Sequence, residues 1–319
     1  MTNGQSSPEY FFPSLASRQI AELVRLIAEL DEFKGRWRRL KEIRAEQLAA
    51  LRHVATIEST ASSTRIEGAE LSDDQVARVL GGRHVDAFRA RDEEEVRGYG
   101  ELLELMYESH EHLPLTENHI KQLHAVLLKH AGKDERHRGD YKKISDDVVA
   151  SYPDGHTEVM FRTATPFDTP RLMARLVEET SAALNDASLH PIVVIARFVV
   201  QFLAIHPFQD GNGRLSRALT TLLLLRSGYE YSPYASLERI IEENKLRYYA
   251  ALRESQLAMR DDPTAFGVWL LFFVGALQAQ KRSLEAKLDV ERSMLQLSSL
   301  QEQIVVAARS QRTCQTAWV

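Results

Sequence analysis

Cysteine is nearly absent from the chain: its 319 residues hold one, Cys314. A single thiol excludes an internal disulfide and any zinc cluster built on thiolates. Long apolar runs are missing too. The longest, 192–205 and 268–277, fall short of the roughly 20 residues that span a bilayer and read as core helices. Neither charge is in strong excess, since 40 basic residues face 45 acidic ones for a net −5. That balance gives no general attraction to nucleic acid or to an anionic membrane, and neither is expected as a partner. The opening MTNGQSSPEYFFPSL has no basic segment followed by an apolar one, so no export signal is expected and the protein is expected in the cytoplasm. What is there is an ordinary soluble composition, 44% hydrophobic and 27% charged, with length enough for one large domain or two.

Helical spacing dominates the chain, and no repeat or low-complexity tract interrupts it. Leucines and isoleucines over 20–51 fit an amphipathic antiparallel pair or one long helix. A second helix runs to about Glu67 and stops at Gly68, a residue suited to the position just past a helix end. Ser72-Asp73-Asp74-Gln75 has the form of a capping box, and the acidic run 92–95 reads as a solvated start to a helix over 96–110. Strand signals are confined to 141–162, where Val148-Val149-Ala150 and Val159-Met160-Phe161 flank the turn residues Pro153-Asp154-Gly155. Further helices are expected at 171–184, from Pro191, from Arg214, over 242–259 and over 264–288. The remainder, 294–319, changes character, with a helical pattern only at 297–308.

The chemistry concentrates in one polar stretch between two apolar runs, His206-Pro207-Phe208-Gln209-Asp210-Gly211-Asn212-Gly213-Arg214-Leu215-Ser216-Arg217. Gly211-Asn212-Gly213 ahead of a helix offers unpaired N–H groups to an anion, and the glycines let a phosphate approach the backbone. Arg214 and Arg217 are three apart on that helix and supply forked donors for phosphate oxygens. Asp210 can hold Mg²⁺, which needs only one or two carboxylates when phosphates and water complete its shell. His206 is the group in the loop able to take a proton near neutral pH. Taken singly, each residue has a plain alternative: a hydrogen-bonded helix-end histidine, a tight turn, a helix cap, a solvated arginine pair. Their conjunction within twelve residues favours handling of a phosphorylated nucleotide.

This stretch resembles the signature of Fic domains, H-P-F-x-(D/E)-G-N-G-R-x-x-R, and matches it at every defined position. The resemblance covers roughly 113–277 and extends more weakly through the helices before it. It implies an all-α fold, a Fic helical bundle with a small β-hairpin flap. A helical region over 1–112 would carry an inhibitory motif, the catalytic core would span 113–290, and 291–319 would form a tail. The activity it implies is transfer of AMP from ATP to a Ser, Thr or Tyr hydroxyl of a target protein. By resemblance His206 deprotonates the hydroxyl, and Asp210 holds Mg²⁺ between the α- and β-phosphates. Asn212 and the amides of Gly211 and Gly213 cradle those phosphates, while Arg214 and Arg217 bind towards the γ-phosphate. Doc-like relatives, which transfer a phosphate, replace the cradle glycines; both are kept here.

Ser63-Thr64-Arg65-Ile66-Glu67-Gly68 resembles the inhibitory motif (S/T)-x-x-x-E-(G/N) of many Fic proteins, in which the glutamate pairs with the second signature arginine. That implies Ser63 and Glu67 as inhibitory residues, with Glu67 on Arg217 holding ATP in a non-productive pose. In some relatives the same glutamate positions water to remove AMP from the target, so the reverse activity is implied as well. The segment 159–165 would be the flap that aligns the target by strand pairing. Thr165-Pro166-Phe167 stands where the family often has a proline run, and an ordinary surface hairpin remains the other reading. Arg247-Tyr248-Tyr249-Ala250-Ala251-Leu252 resembles the stretch after the signature helix, and implies Tyr249 packing on adenine with Gln256 reading its edge, against the plain reading of core aromatics. The 297–308 pattern resembles the first helix of a winged-helix module with too little chain to complete it. Self-modification and a homodimer are further possibilities by analogy. The rival class is a non-catalytic regulator that senses nucleotide; the intact His206 speaks against it, because a sensor needs phosphate ligands and no base.

Overall fold

A computed structural model describes residues 11–40, 45–83, 90–151, 157–186 and 188–290. Its helices start where the sequence offers caps. Ser72 caps α3 (Asp73–Leu80) in a full capping box with Gln75, Thr116 caps α5 (Glu117–Leu127), and Ser236 caps α9 (Leu237–Glu243). Each side-chain oxygen satisfies one of the N–H groups left open in the first turn. Pro170 opens α6 (Thr169–Leu184) and Pro191 opens α7 (Pro191–Ile205), where a missing N–H costs nothing. Gly68, at φ 101°, follows α2 (Ala45–Ile66) and turns the chain away from it.

The stretch 20–51 is divided between α1 (Ser17–Leu40) and the start of α2. The acidic run belongs to α4 (Ala90–Ser109). Helix α8 (Asn212–Arg226) begins two residues before the expected Arg214. The helix expected over 242–259 is broken at Asn244, which ends α9 and starts α10 (Lys245–Ala258). Residues 267–290 form α11. The hairpin is present: β1 (Val148–Ser151) pairs antiparallel with β2 (Thr157–Phe161), Val149 opposite Val159, with an irregularity between Val148 and Val149. Its turn residues 153–155 and the expected tail helix at 297–308 lie outside the described residues.

α7 is apolar on every side, with Ile192, Val194, Ile195, Phe198, Val200 and Phe202 buried, as suits a central helix. It packs against α6, α8 and α10. The main apolar cluster runs from Leu23 of α1 to Leu284 of α11, so the N-terminal helices share a core with the α7–α8 pair. α2 enters this core by a different device. Its residues Ser59, Thr60, Ala61, Ser62, Ser63 and Thr64 are all buried and all small, so the helix backbone lies close to its neighbours α3, α4 and α9. The Thr64 hydroxyl costs little because it turns back to the helix, donating to the Thr60 carbonyl at 2.9 Å. No described helix is long and apolar enough to cross a membrane.

Close approach is strictest at Gly98, where an added Cβ would overlap the Leu127 carbonyl at the end of α5. Gly35 in α1 faces open space. Gly98→Ala is expected to destabilise the protein by about 1–3 kcal/mol through overpacking. Gly35→Ala should instead stabilise it by about 0.5–1 kcal/mol, since alanine loses less backbone entropy in a helix. Chemical denaturation of the two variants should shift the midpoint in opposite directions; shifts of the same sign would refute the packing argument.

Candidate active site

α7 ends at His206, whose backbone is left-handed (φ 52°, ψ 64°) and whose N–H still bonds the Phe202 carbonyl at 2.9 Å. It is the non-glycine residue with positive φ among the described residues. The turn swings the ring out of the helix to the mouth of the loop, where the side chain is 21% exposed and Nε2 lies 3.6 Å from Asp146 Oδ2. Burial pulls the ring's pKa below its ordinary value, against Asp146, which pulls upward. A neutral imidazole at physiological pH follows, the form that accepts a proton.

The loop between α7 and α8 is built around Phe208. Its buried ring stacks on His124 with centroids 3.8 Å apart and planes at 13°. Asn212 closes the loop: its Oδ1 accepts from Phe208 N–H at 2.9 Å and its Nδ2 donates to the Phe208 carbonyl at 2.8 Å. The Asn212 side chain is therefore committed to the loop, and its main-chain N–H is what it can offer a ligand. His124 Nδ1 accepts from Gly139 N–H at 3.0 Å, which puts its proton on Nε2 for donation to the Asp210 carbonyl, also at 3.0 Å. Burial lowers the pKa of His124 to about 4. Gly211 sits at φ 79°, and a Cβ there would press on Leu127 Cδ2 at 3.1 Å.

At the first turn of α8 the open N–H groups attract an anion, and a carboxylate is beside them. Glu67, just beyond the end of α2, lies so close over Gly213 that a Cβ there would overlap its Oε1. Glu67 Oε1 accepts from Arg217 Nη2 at 2.8 Å. Arg217 is 3% exposed and also gives Nε to Ser63 Oγ (2.9 Å) and Nη2 to the Ser63 carbonyl (3.0 Å). Burial works against its charge, yet Glu67 beside it holds the guanidinium above its usual range. Beneath it Tyr99, kept protonated by burial, donates to Glu238 at 2.9 Å.

Arg214 takes a separate partner set. Buried, it meets Asp210 Oδ2 at 3.1 Å and Glu95 Oε2 at 3.2 Å. Arg91 reaches the same Asp210 oxygen at 3.5 Å and Glu95 at 2.9 Å. The two signature arginines thus each face a carboxylate from the N-terminal helices, Glu67 after α2 and Glu95 on α4. Both arginine contacts on Asp210 use Oδ2, which leaves Oδ1 as the atom to offer a hard cation. No cluster of three His, Cys, Asp or Glu side chains suited to a metal occurs among the described residues. A Mg²⁺ here fits only as one protein carboxylate with phosphate oxygens and water, a shell that this ion accepts.

Gln256 and Tyr249 are not brought into one wall. Gln256 lines a cavity of about 620 Å³ between 161–164, α6, α7 and α10, and its Nε2 donates to the Val200 carbonyl at 3.3 Å. Tyr249 does not line that cavity; it is 43% exposed with its ring 5.1 Å from that of Tyr248. In the flap segment, Thr163 ties the exit of the hairpin to its entrance: its N–H donates to Asp147 Oδ1 at 3.0 Å and its hydroxyl to the Asp146 carbonyl at 2.8 Å.

Four residues around the site escaped the reading of the sequence: Glu95, His124, Asp146 and Arg91. Glu95 had a signal, because it falls on one helical stripe with Tyr99, Leu102 and Met106, and so on the buried side of its helix. His124 likewise shares a stripe with Ile120 and Leu127. Asp146 and Arg91 carry no local pattern; only the fold brings them to the loop.

Comparison with known proteins converges on this loop. The model of the Fic/DOC family matches residues 114–224. The chain is 30% identical over 229 residues to "Protein adenylyltransferase Fic" of Drosophila mojavensis, covering 68% of this chain and 42% of that protein. It is 34% identical over 117 residues to the protein of the same name in Drosophila virilis, covering 37% and 21%. The chain therefore spans less than half the length of either relative. Among solved structures, a Fic family protein from Desulfovibrio desulfuricans G20 superposes with a TM-score of 0.66 at 28% identity, covering 86% of this chain and 77% of that one.

The His124 contacts carry a pH dependence of stability. Its folded pKa of about 4 lies below the ordinary 6.5, so between those values the unfolded chain binds the extra proton. Stability from this group is complete above about pH 6.5 and falls, by on the order of 3 kcal/mol in total, as pH drops towards 4. Glutamine at 124 offers a donor and an acceptor without titrating. His124→Gln is expected to flatten the decline of urea stability between pH 7 and 4.5; equal slopes in both proteins would count against the assignment.

Proposed function

The chain belongs to the Fic/DOC family through residues 114–224, and from that premise we propose that it transfers AMP from ATP to a hydroxyl side chain of a target protein. The observation that carries this reading is the arrangement at the start of α8: open N–H groups over Gly213, two buried arginines, and a neutral imidazole at the loop mouth. Fixed donors of this kind stabilise charge on a polyphosphate without reorganising during reaction. Arg217 and the first turn of α8 would hold the phosphate tail, and Tyr249, within electrostatic reach of Glu67 and Arg217, would pack on the base. His206 accepts the proton of the target hydroxyl as its oxygen bonds to the α-phosphorus, and the bond from that phosphorus to the β-phosphate oxygen breaks to release pyrophosphate. Mg²⁺ bound by Asp210 and the phosphates would neutralise charge on that leaving group. The hairpin β1–β2 presents a strand edge for the target segment next to His206.

The same geometry supports self-inhibition. The Glu67 carboxylate sits where the tail of the nucleotide would need Arg217 and the amides of α8. An anion cannot share that space without cost, so Glu67 must be displaced for a productive pose, or it holds ATP in another one. A sensor of nucleotide would need the arginines and the cradle but would have no use for a base.

Glu67→Gly is expected to raise labelling of lysate proteins from α-labelled ATP by about tenfold or more, the change that follows from removing a competitor of a few kcal/mol. His206→Ala in that background should lower transfer about 10²–10⁴-fold while calorimetry shows ATP binding retained. Unchanged labelling in the first variant defeats the inhibitory role of Glu67. Full transfer without the imidazole would leave the sensor reading in place of the enzyme.

A further inference from the structure

Lys142 lies in the segment between α5 and the hairpin, outside every motif named above. It is 4% exposed. Its main-chain N–H donates to the Pro207 carbonyl at 2.8 Å. Its ammonium donates to the Ile205 carbonyl at 3.1 Å and to Thr163 Oγ1 at 2.8 Å. The two carbonyls belong to the residues on either side of His206, whose left-handed backbone costs on the order of 1 kcal/mol or more. Lys142 therefore grips the peptide group that enters the strained histidine through its ammonium and the one that follows Pro207 through its main chain. Through Thr163, whose hydroxyl passes on to the Asp146 carbonyl, the same ammonium ties that grip to both ends of the hairpin.

We propose that Lys142 is a positioning residue for His206: it clamps the flanking carbonyls and sets the distance between the imidazole and the hairpin edge on which a target would lie. The proposal rests on the reading of His206 as the base for AMP transfer. A buried ammonium is an expensive way to fill space, because removing it from water opposes its charge. Burial indeed pulls Lys142 down to about 8, against Asp146 and Asp147, which oppose the fall. A hydrocarbon side chain would fill the same volume without that cost, but it would leave the Ile205 carbonyl and the Thr163 hydroxyl without their donor. The charged groups that bear on the ring are Asp146 and Glu67, which favour its protonation, and Lys142, which disfavours it. The clamp thus holds the imidazole in place and also helps to keep it unprotonated.

The test compares Glu67→Gly with the double variants that add Lys142→Met or Lys142→Arg. ATP affinity is read by calorimetry, AMP transfer by kcat over a pH series, and the His206 ring by NMR titration of the protein without nucleotide. Methionine should leave the ATP Kd within about threefold and lower kcat about 10–100-fold, the penalty for a reacting group displaced by ångström distances. The ring should titrate at higher pH, and arginine, which keeps a charged donor, should recover much of the rate. A methionine variant with kcat within about threefold of its parent overturns the proposal, and so does loss of rate together with loss of ATP binding, or an unmoved ring titration. If the Glu67→Gly parent transfers no AMP, the enzymatic reading fails on its own, and the ring titration still decides whether Lys142 acts on His206.

Discussion

The open N–H groups at the start of α8 demand a negative partner, and much of the structure is arranged around which group supplies it. Here it is the carboxylate of Glu67, seated over Gly213 and paired with Arg217. A lone exposed ion pair would be held weakly. This one is held by a helix, since residues 59–64 near the end of α2 are buried and small and lie against α4 and α9. Arg65, two residues after Ser63, fixes the end of that helix: it bonds Glu242 at 2.6 and 2.9 Å and Asp73 at 3.0 Å. Displacing the carboxylate therefore works against packing as well as charge.

The first signature arginine shows the same logic from the other side. Arg214 is buried, and a buried guanidinium needs its charge matched. Asp210 and Glu95 match it, and Arg91 joins them, so the loop aspartate is oriented before any cation or phosphate arrives. The two helices that carry Glu67 and Glu95 to the site belong to the N-terminal part of the chain. The loop and its restraint thus come from segments far apart in sequence, and a conformational change in the N-terminal helices would be felt by both arginines at once.

How much could be read beforehand follows from this. The twelve-residue signature was legible because its members are contiguous, and a loop between two apolar runs can be placed without knowing the fold. The capping box of α3, the proline that opens α7, the hairpin and the motif that brings Glu67 onto Arg217 were legible for the same local reason. The break at Asn244 was not, because it lies inside a run with helical spacing on both sides. The role of Asn212 was hidden by its setting: between two glycines it reads as a phosphate donor, and only the closed loop shows its amide spent on Phe208. Tyr249 was read from the resemblance of the stretch after the signature helix, and its ring lies within electrostatic reach of Glu67 and Arg217, a neighbourhood that helical spacing alone does not give.

Residues such as Lys142, Asp146 and His124 mark the limit of sequence reasoning more sharply. Each acts on the loop through main-chain atoms or through a single long-range contact, so its side chain type is loosely determined by its neighbours in sequence. Yet the loop could not hold its shape without such partners. A left-handed histidine, two glycines and a buried arginine pair all store cost at one place, and a site of that kind persists only where the surroundings over-determine it. Here the bracing comes from three directions: the Phe208–His124 stack, the Asn212 side chain bonded to the Phe208 main chain, and Lys142 across the histidine. The catalytic signature is short because the rest of the fold carries the work of keeping it in an unfavourable conformation.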